Sequence, residues 1–177
     1  IHINELSFYV FSSENWKRSL NEIRNLFDLI EEYYQEFEKT AQNYDLKIRH
    51  YGSKKKLSKK ILDIIDEVTK KTKKNNSTVI NLVFNYGGRD EIVSSIKRIK
   101  SGKINKTNIA KNLYTSMSGD PDLIIRTGGE MRLSNFMLWQ SAYSELYFTK
   151  KLWPDFNISD LKKIIINFEN RKRNYGK

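Results

Sequence analysis

The sequence contains no cysteine, only two histidines and no long hydrophobic run. Without cysteine the chain can build neither a disulfide framework nor a thiolate metal site, which is compatible with a cytosolic protein. No apolar stretch approaches the roughly 20 residues that a membrane-spanning helix needs, and no signal peptide is visible. The two histidines, His2 and His50, do not resemble a histidine-based catalytic triad, and we expect neither to carry chemistry.

Basic residues outnumber acidic residues by 32 to 21, so the formal net charge is +11. A charge of this size predicts an anionic partner, and nucleic acid, an anionic membrane face and phosphorylated substrates are all candidates. At 177 residues the chain is long enough for one domain with a real core. No repeat, linker or composition break divides it, so a single domain over residues 1–177 is predicted.

Strand-like and helix-like segments alternate along the chain. Short β-branched or aromatic runs predict strands at 6–11, 46–51, 79–84, 123–125 and 146–148. Helical periodicity predicts helices at 19–44, 57–73, 90–99 and 159–168. Two shorter helices are predicted, one capped by Thr107 and one that starts at Asn135 and is capped by Ser134. The alternation predicts an α/β fold with a mostly parallel central sheet and helices on both faces.

Polar motifs that contain glycine or asparagine directly follow four of the predicted strands. They occupy residues 12–18, 52–53, 85–89 and 126–134. Ligands of parallel α/β sheets bind outside the carboxyl ends of the strands. We therefore expect the four motifs to lie along one edge of the sheet and to form one site.

The fourth motif has the composition of a diphosphate site. Arg126 and Arg132 can fork onto phosphate oxygens, Gly128 and Gly129 allow a close backbone approach, and the helix predicted after Ser134 would add N–H donors. A carboxylate one short helix later, Glu145, would suit Mg²⁺. The same charges are equally compatible with surface ion pairs and a solvated glutamate.

The motifs after the first and third strands are less specific by themselves. Residues 12–18 offer hydroxyls, an amide, a cation and an indole, but an ordinary turn that caps the next helix explains them slightly better. Residues 85–89 could cradle phosphate at a helix start, or could form only a tight turn. The apolar stripe of the helix at 19–44 predicts a core face.

The order of residues adds more than their charges do. Three stretches resemble signatures of the cis-prenyltransferases, most closely those of bacterial undecaprenyl diphosphate synthases: Arg-Thr-Gly-Gly-Glu-x-Arg-Leu-Ser-Asn-Phe from Arg126, Phe-Ser-x-Glu-Asn-x-x-Arg from Phe11, and Asn-Tyr-Gly-Gly-Arg from Asn85. The resemblance covers essentially the whole chain. It implies a transferase that condenses isopentenyl diphosphate with a farnesyl-type allylic diphosphate into a Z-polyprenyl diphosphate, the undecaprenyl carrier of cell-wall glycan synthesis. It implies that the helix at 19–44 also walls a tunnel for the growing polyprenyl tail, and composition does not distinguish a tunnel wall from a core face.

The resemblance also implies roles for individual residues. Asn15 takes the position of the family's proton acceptor; because an amide is a weak base, we expect it to position water or the diphosphate that accepts the proton. Glu145 takes the position of a Mg²⁺ ligand, whereas Met131, a poor ligand for Mg²⁺, stands where some members have a histidine ligand. The implied substrate-binding residues are Ser12, Ser13, Glu14, Trp16, Arg18, Arg126, Arg132, Leu133 and Ser134.

The resemblance also implies Mg²⁺ as the cofactor and a homodimer as the assembly. It implies a cytoplasmic location, with peripheral contact at the inner membrane face through the product. Nucleic acid is not an expected partner. The carboxyl tail resembles the family's Arg-x-x-Arg-Phe-Gly ending, with Asn174 and Tyr175 as departures and Arg173 as the candidate substitute. The family's Asp-Gly-Asn-Gly-Arg-Trp motif would lie before Ile1. We therefore expect full-length protein to be active, and this polypeptide, if it is the whole molecule, to be inactive with an unpaired strand edge.

Two alternatives remain from other classes. The chain could be a non-catalytic partner subunit or an inactive fragment of a cis-prenyltransferase, although a pure scaffold has no physical need for Asn15, Arg132 and Glu145. A basic nucleic-acid-binding domain would explain the lysines at 54–60, but no aromatic interleaving supports it, and it would require steeply salt-dependent binding.

Overall fold

A computed structural model describes residues 3–100 and 102–171. The strands are β1 (Glu5–Ser12), β2 (Leu46–Tyr51), β3 (Thr78–Tyr86), β4 (Leu123–Arg126) and β5 (Glu145–Phe148). The α-helices are α1 (Leu20–Asn43), α2 (Lys59–Lys71), α3 (Gly88–Arg98), α4 (Lys106–Lys111) and α5 (Ile158–Glu169). Short 3₁₀ helices cover Ser13–Lys17, Gln140–Tyr143 and Trp153–Asp155.

By its internal contacts the chain divides into two compact units. We call them the amino-terminal unit (His2–Glu91) and the carboxy-terminal unit (Ile92–Lys177, with Ile1). This division does not test the prediction of a single domain over residues 1–177, which stays a prediction. Within the described part of the chain, no helix is long and apolar enough to cross a membrane.

The amino-terminal unit contains a three-stranded parallel sheet in which β3 lies between β1 and β2. β3 reads as a nearly continuous apolar run because a central parallel strand is covered on both faces, and Val83 and Asn81 on it are fully buried. Asn81 is accommodated there because its amide donates to the Ser7 hydroxyl at 3.0 Å. The register of β1 against β3 shifts between Tyr9 and Phe11, so the strand is irregular near Val10.

Two capped helices pack on one face of this sheet. The Ser19 hydroxyl accepts the N–H of Glu22 and starts α1, and the Ser58 hydroxyl accepts the N–H of Ile61 and starts α2. Such caps satisfy N–H groups that have no partner within the helix. The apolar faces of α1 and α2 close over the sheet, and the buried core they share with it is formed by Phe11, Ile23, Ala41, Ile48, Leu57, Ile61, Ile64, Val68, Ile80 and Phe84.

The carboxy-terminal unit contains a parallel pair of strands, β4 and β5. The N–H of Glu145 donates to the Asp122 carbonyl at 2.9 Å and brings the two strands together at their start. Asn157 caps α5 through its amide oxygen, which accepts from Ser159 and Asp160. Buried Gln140 donates to the Thr115 hydroxyl at 2.6 Å and connects two loops of this unit.

The structure confirms the predicted α/β class with parallel sheets and the order of strands and long helices. One predicted cap was wrong: Thr107 lies inside α4, and Asn105 caps that helix by accepting the N–H of Asn108 at 2.8 Å. An asparagine is an equally good cap, and the short helix gives no periodicity that would separate the two positions. The predictions on Arg173, Asn174 and Tyr175 lie outside the described residues.

Candidate functional site

In the amino-terminal unit, Asn85 joins the loops that follow β1, β2 and β3. Its Oδ1 accepts the indole N–H of Trp16 at 2.7 Å, and its Nδ2 donates to the carbonyls of Ser53 at 2.7 Å and Lys55 at 2.8 Å. The side chain is buried, and the backbone has φ +54°, a conformation that asparagine tolerates better than most residues. Three of the four predicted motifs therefore do meet at one edge of a sheet.

Gly52 is the second structural requirement of this edge. A Cβ atom built on Gly52 would lie 1.9 Å from the Phe84 carbonyl oxygen, so no side chain fits. The close approach allows the Ser53 N–H to donate to the Asn85 carbonyl at 2.9 Å. The glycine is thus required by the contact between the β2 and β3 loops, not by a flexible turn.

The Ser12–Arg18 segment folds as a single 3₁₀ turn held by Asn15. The Ser12 N–H donates to Asn15 Oδ1 at 2.8 Å, and the Arg18 N–H donates to the Asn15 carbonyl at 3.0 Å. Because the amide oxygen already accepts a bond, the Asn15 NH₂ group is the part that can bind a substrate oxygen. This arrangement suits positioning a diphosphate or water better than accepting a proton.

Neighbouring side chains fix the same turn. The Ser13 hydroxyl donates to Asp90 Oδ2 at 2.9 Å, a contact that the sequence analysis did not identify. Trp16 packs edge-on against Phe11 and Phe27, with ring centroids 5.3 and 5.7 Å away. Burial and then the charge of Glu14 raise the pKa of Tyr9 to about 12. The Ser12–Arg18 turn is therefore held rigidly, with its polar side chains fixed above a cluster of packed aromatic rings.

Beneath these loops an apolar cavity of about 400 Å³ lies between the two helices and the sheet. The polar side chains in its wall are turned away from it; Thr69, for example, donates to the Ile65 carbonyl at 2.7 Å. The apolar stripe of α1 therefore lines a cavity as well as packing in the core, a choice that the sequence left open. The lining residues are Val10, Leu29, Ile30, Tyr33, Tyr34, Phe37, Ile48, His50, Ile61, Ile64, Ile65, Val68, Thr69, Leu82 and Phe84.

In the carboxy-terminal unit, the predicted anion-binding residues do come together. Arg126 Nη1 donates to the Arg132 carbonyl at 2.6 Å and to the Ser134 hydroxyl at 2.7 Å. Gly128 and Gly129 have φ +91° and +82°, and their N–H groups donate to the carbonyls of Lys151 and Thr149. These bonds fold the chain after β4 into a compact loop in which Arg126 is half-buried and Arg132 is exposed.

The helix predicted to start at Asn135 is absent. Ser134, Asn135 and Met137 have φ +48°, +63° and +43°, which is left-handed backbone that cannot begin a right-handed helix. Local hydrogen bonding prevails here because the Ser134 hydroxyl accepts from Arg126 instead of capping a helix. The 3₁₀ helix starts only at Gln140, so the predicted N–H donors of a helix terminus do not contribute to this site.

Arg132 forms an exposed ion pair with Glu130, two residues earlier in the same loop. Exposed pairs contribute about 1 kcal/mol or less, so an anionic ligand can displace the glutamate at small cost. Leu133, predicted as a substrate contact, is half-buried and lies between Arg132 and Ser134 in the sequence.

Glu145 lies at the other end of its strand pair from Arg126. It is aligned with Leu123, whereas Arg126 is aligned with Phe148, a separation of three residues or about 10 Å along the strands. Its carboxylate is bound by the Arg171 guanidinium. The structure therefore brings Arg126, Arg132 and Ser134 together but does not bring Glu145 to them.

Glu145 is the candidate carboxylate ligand for a magnesium ion. Over residues 3–100 and 102–171, no group of three acidic, histidine or cysteine side chains could hold a metal, and the Met131 thioether is exposed. Mg²⁺ nevertheless binds commonly through one or two carboxylates plus substrate phosphates. These residues are compatible with a Mg²⁺ ion that binds together with the substrate phosphates. They are not compatible with a Mg²⁺ site formed by the described residues alone.

Comparison of the whole chain with known proteins identifies its family. The family model described as putative undecaprenyl diphosphate synthase matches residues 1–176. The chain belongs to this prenyltransferase family. The resemblance drawn from the three motifs is therefore confirmed.

Similar proteins are bacterial and plant prenyl synthases. An isoprenyl transferase from Leptospira interrogans is 42% identical, covering 98% of this chain and 76% of that protein. A probable undecaprenyl diphosphate synthase from Campylobacter jejuni has a TM-score of 0.92 at 38% identity, covering 98% and 84% of the two chains. Lavandulyl diphosphate synthase from Lavandula x intermedia, solved with dimethylallyl diphosphate, has a TM-score of 0.93 at 30% identity, covering 99% and 80%.

Proposed function

We propose that the protein is a cis-prenyltransferase that adds isopentenyl diphosphate to a farnesyl-type allylic diphosphate and makes a Z-polyprenyl diphosphate. The observation that carries this proposal is the apolar cavity of about 400 Å³ directly beneath the three loops joined by Asn85. A cavity of this kind suits a hydrocarbon tail, and the polar loops above it suit the charged head of the same molecule.

The head groups have matching candidates. Arg126, Arg132 and Ser134 would hold the isopentenyl diphosphate through charge-assisted hydrogen bonds, with Glu130 leaving Arg132 as the anion arrives. Leu133 would contact the same substrate. In the amino-terminal unit, the Asn15 amide and its neighbours Ser12, Ser13, Glu14, Trp16 and Arg18 would bind and orient the reacting groups.

Mg²⁺ would enter with the substrates, and Glu145 is the candidate protein ligand once it separates from Arg171. When bound, the ion neutralises the negative charge that develops on the leaving diphosphate. The Asn15 turn would orient the reacting groups, and the Arg126 loop would hold isopentenyl diphosphate. Addition of EDTA should abolish activity.

The wider role follows from the same proposal. The product would be the undecaprenyl carrier for cell-wall glycan synthesis, made by a cytoplasmic homodimer that touches the membrane through its product. Exposed Leu152 and Trp153 support an interface, because clustered exposed apolar side chains commonly mark contact sites. Sedimentation of the purified protein tests the dimer.

The proposed activity is tested by one assay paired with an intact mass. Full-length protein is given Mg²⁺, farnesyl diphosphate and labelled isopentenyl diphosphate, and label is counted in the lipid extract. Mg²⁺-dependent incorporation by a protein heavier than 21.0 kDa supports the proposal. A protein of 21.0 kDa without incorporation would instead favour a fragment or a partner subunit, and silence of the full-length protein would overturn the catalytic claim.

A variant of Arg126 tests the diphosphate site itself. Lysine keeps the charge but cannot bond the Arg132 carbonyl and the Ser134 hydroxyl in the same fixed geometry. We expect Arg126→Lys to raise the KM for isopentenyl diphosphate by about tenfold, the effect of losing one hydrogen bond to a charged group. Arg24→Lys, on an exposed position of α1, is the matched control and should leave KM unchanged.

A further inference from the structure

His50 is the one side chain in the cavity wall that can gain a proton near neutral pH. It lies on β2 two residues before Gly52, and Phe84 lies on β3 directly before Asn85, so both rings lie just below the joined loops. The ring centroids of His50 and Phe84 are 6.5 Å apart. Among the lining residues on β2 and β3, His50 and Phe84 therefore lie nearest the joined loops.

The hydrogen bond of His50 defines its state. Nε2 lies 3.0 Å from the Phe84 carbonyl oxygen, which can only accept, so Nε2 carries the proton and Nδ1 holds a lone pair. The imidazole nitrogens point away from the cavity, so the ring carbons of His50 face the cavity interior, as the side chains of its apolar neighbours do.

The surroundings of His50 favour the neutral ring. Burial is the largest cause that lowers its pKa, and Lys54, in the loop after β2, lowers it further; the bond to Phe84 and the charge of Asp66 on α2 act in the opposite direction. Lys54 and Asp66 are 2.6 Å apart and largely offset each other. The remaining elements contribute uncharged groups, the Tyr34 phenol from α1 and the Phe84 carbonyl from β3.

We propose that His50 couples occupancy of the cavity to pH: a prenyl chain binds more tightly while His50 is neutral and more weakly when His50 takes up a proton. The proposal rests on the proposed function only for the identity of the occupant. A bound chain removes the remaining water beside the imidazole, which makes the imidazolium still less favourable. By reciprocity, the imidazolium must weaken binding of the chain by the same factor.

The size of the effect is measurable because the coupling acts in both directions. Each unit by which a bound chain lowers the pKa of His50 weakens chain binding about tenfold at a pH where the free protein is protonated. Reduced affinity in acid should therefore accompany a lower His50 titration midpoint in the complex. A merely structural histidine would show neither change.

The test is a histidine titration by ¹H–¹³C NMR on the full-length protein. Farnesyl thiodiphosphate, which does not react, is the probe, and inorganic diphosphate is the control for the head group alone. The His50 resonance is assigned as the one that a His50→Leu variant lacks, and the His2 resonance with a His2→Gln variant. We expect the thiodiphosphate to lower the titration midpoint of His50 and diphosphate to leave it in place; an unchanged midpoint at saturation would overturn the proposal.

A variant series gives a second readout. His50→Leu should lose less affinity for farnesyl thiodiphosphate between neutral and acid pH than the wild type does, because only protonation of the head group still acts; Thr69→Val, at another polar position of the wall, should keep the wild-type pH dependence. If His50→Leu retained that dependence, the coupling would be wrong. If the His50 titration midpoint shifted but no labelled isopentenyl diphosphate were incorporated into lipid, this inference would stand and the proposed function would be wrong. If label were incorporated but the midpoint did not shift, the proposed function would stand and this inference would be wrong.

Discussion

Asn85 shows how one residue can organise a site without touching a substrate. Its side chain uses one acceptor and two donors to join Trp16, Ser53 and Lys55, which belong to two other loops. The sequence left open whether the motif that contains it cradles phosphate or only forms a tight turn, and these bonds show that Asn85 holds neighbouring loops together. Residue spacing alone could not identify the partners, because Trp16 is 69 residues away in sequence.

The first prediction concerns this residue. Asn85→Ala leaves a buried indole N–H and two carbonyls without their partner, so we expect the free energy of unfolding to fall by about 3 kcal/mol. Urea denaturation followed by tryptophan fluorescence measures it. Asn25→Ala, at an exposed position of α1, should be neutral or slightly stabilising because alanine favours helix. Equal stability of the two variants would contradict the role given to Asn85.

Arg126 and Ser134 illustrate the limit of local reasoning at the same scale. The sequence analysis placed both in a diphosphate site, and they are indeed bonded to each other. It also assigned Ser134 to a helix cap, because serine before an apolar segment is the usual cap signal. The bond to Arg126 and three positive φ values replace that helix with turns.

At the scale of elements, the connection from β2 to α2 determines how closely two loops approach. Gly52 lies against the Phe84 carbonyl, and Ser58 then starts α2 by accepting the Ile61 N–H. The capped helix brings Ile61 and Ile64 over the sheet, where they form part of the cavity wall. One glycine and one cap thus position both the polar edge and the apolar cavity.

The second prediction follows from that contact. Gly52→Ala would place a Cβ atom 1.9 Å from a backbone oxygen, so β2 and β3 must shift. We expect a loss of about 3 kcal/mol or more in the free energy of unfolding, typical of overpacking at a site that cannot relax. Gly119→Ala has nothing within 4 Å of the new methyl group and should be neutral. Thermal denaturation of the two variants measures the difference in stability, and equal stability would contradict the role given to Gly52.

At the scale of the whole molecule, net charge is the dominant property. A charge of +11 creates a positive potential that attracts anionic ligands from a distance and accelerates their association. The same charge was compatible with nucleic acid or membranes when only composition was considered. Family membership now favours phosphorylated substrates as the anions that this charge attracts.

The third prediction tests this steering. Raising ionic strength from about 0.01 to 0.15 M shortens the Debye length from about 30 to 8 Å, so kcat/KM for isopentenyl diphosphate should fall several-fold. Affinity for farnesol, which has the hydrocarbon tail without the charge, should stay the same or increase. If both ligands lost affinity equally, salt would be acting on the fold and not on long-range attraction.

Several features were determined by the sequence alone, because each depends on residues close together along the chain. Helical and strand periodicity predicted the long elements within a few residues, and the motifs at 12–18 and 126–134 identified the family. Local pattern also predicted that Arg126, Arg132 and Ser134 would act together, since one short loop contains all three.

Tertiary structure alone decided the features that depend on residues far apart in sequence. The cavity needs α1, α2 and three strands to enclose it, and a core face has the same composition as a cavity wall. The pairing of Glu145 with Arg171 and the bond from His50 to Phe84 join residues 26 and 34 positions apart. Such contacts depend on packing geometry, which sequence spacing does not specify, and they determine which side chains are available to a ligand.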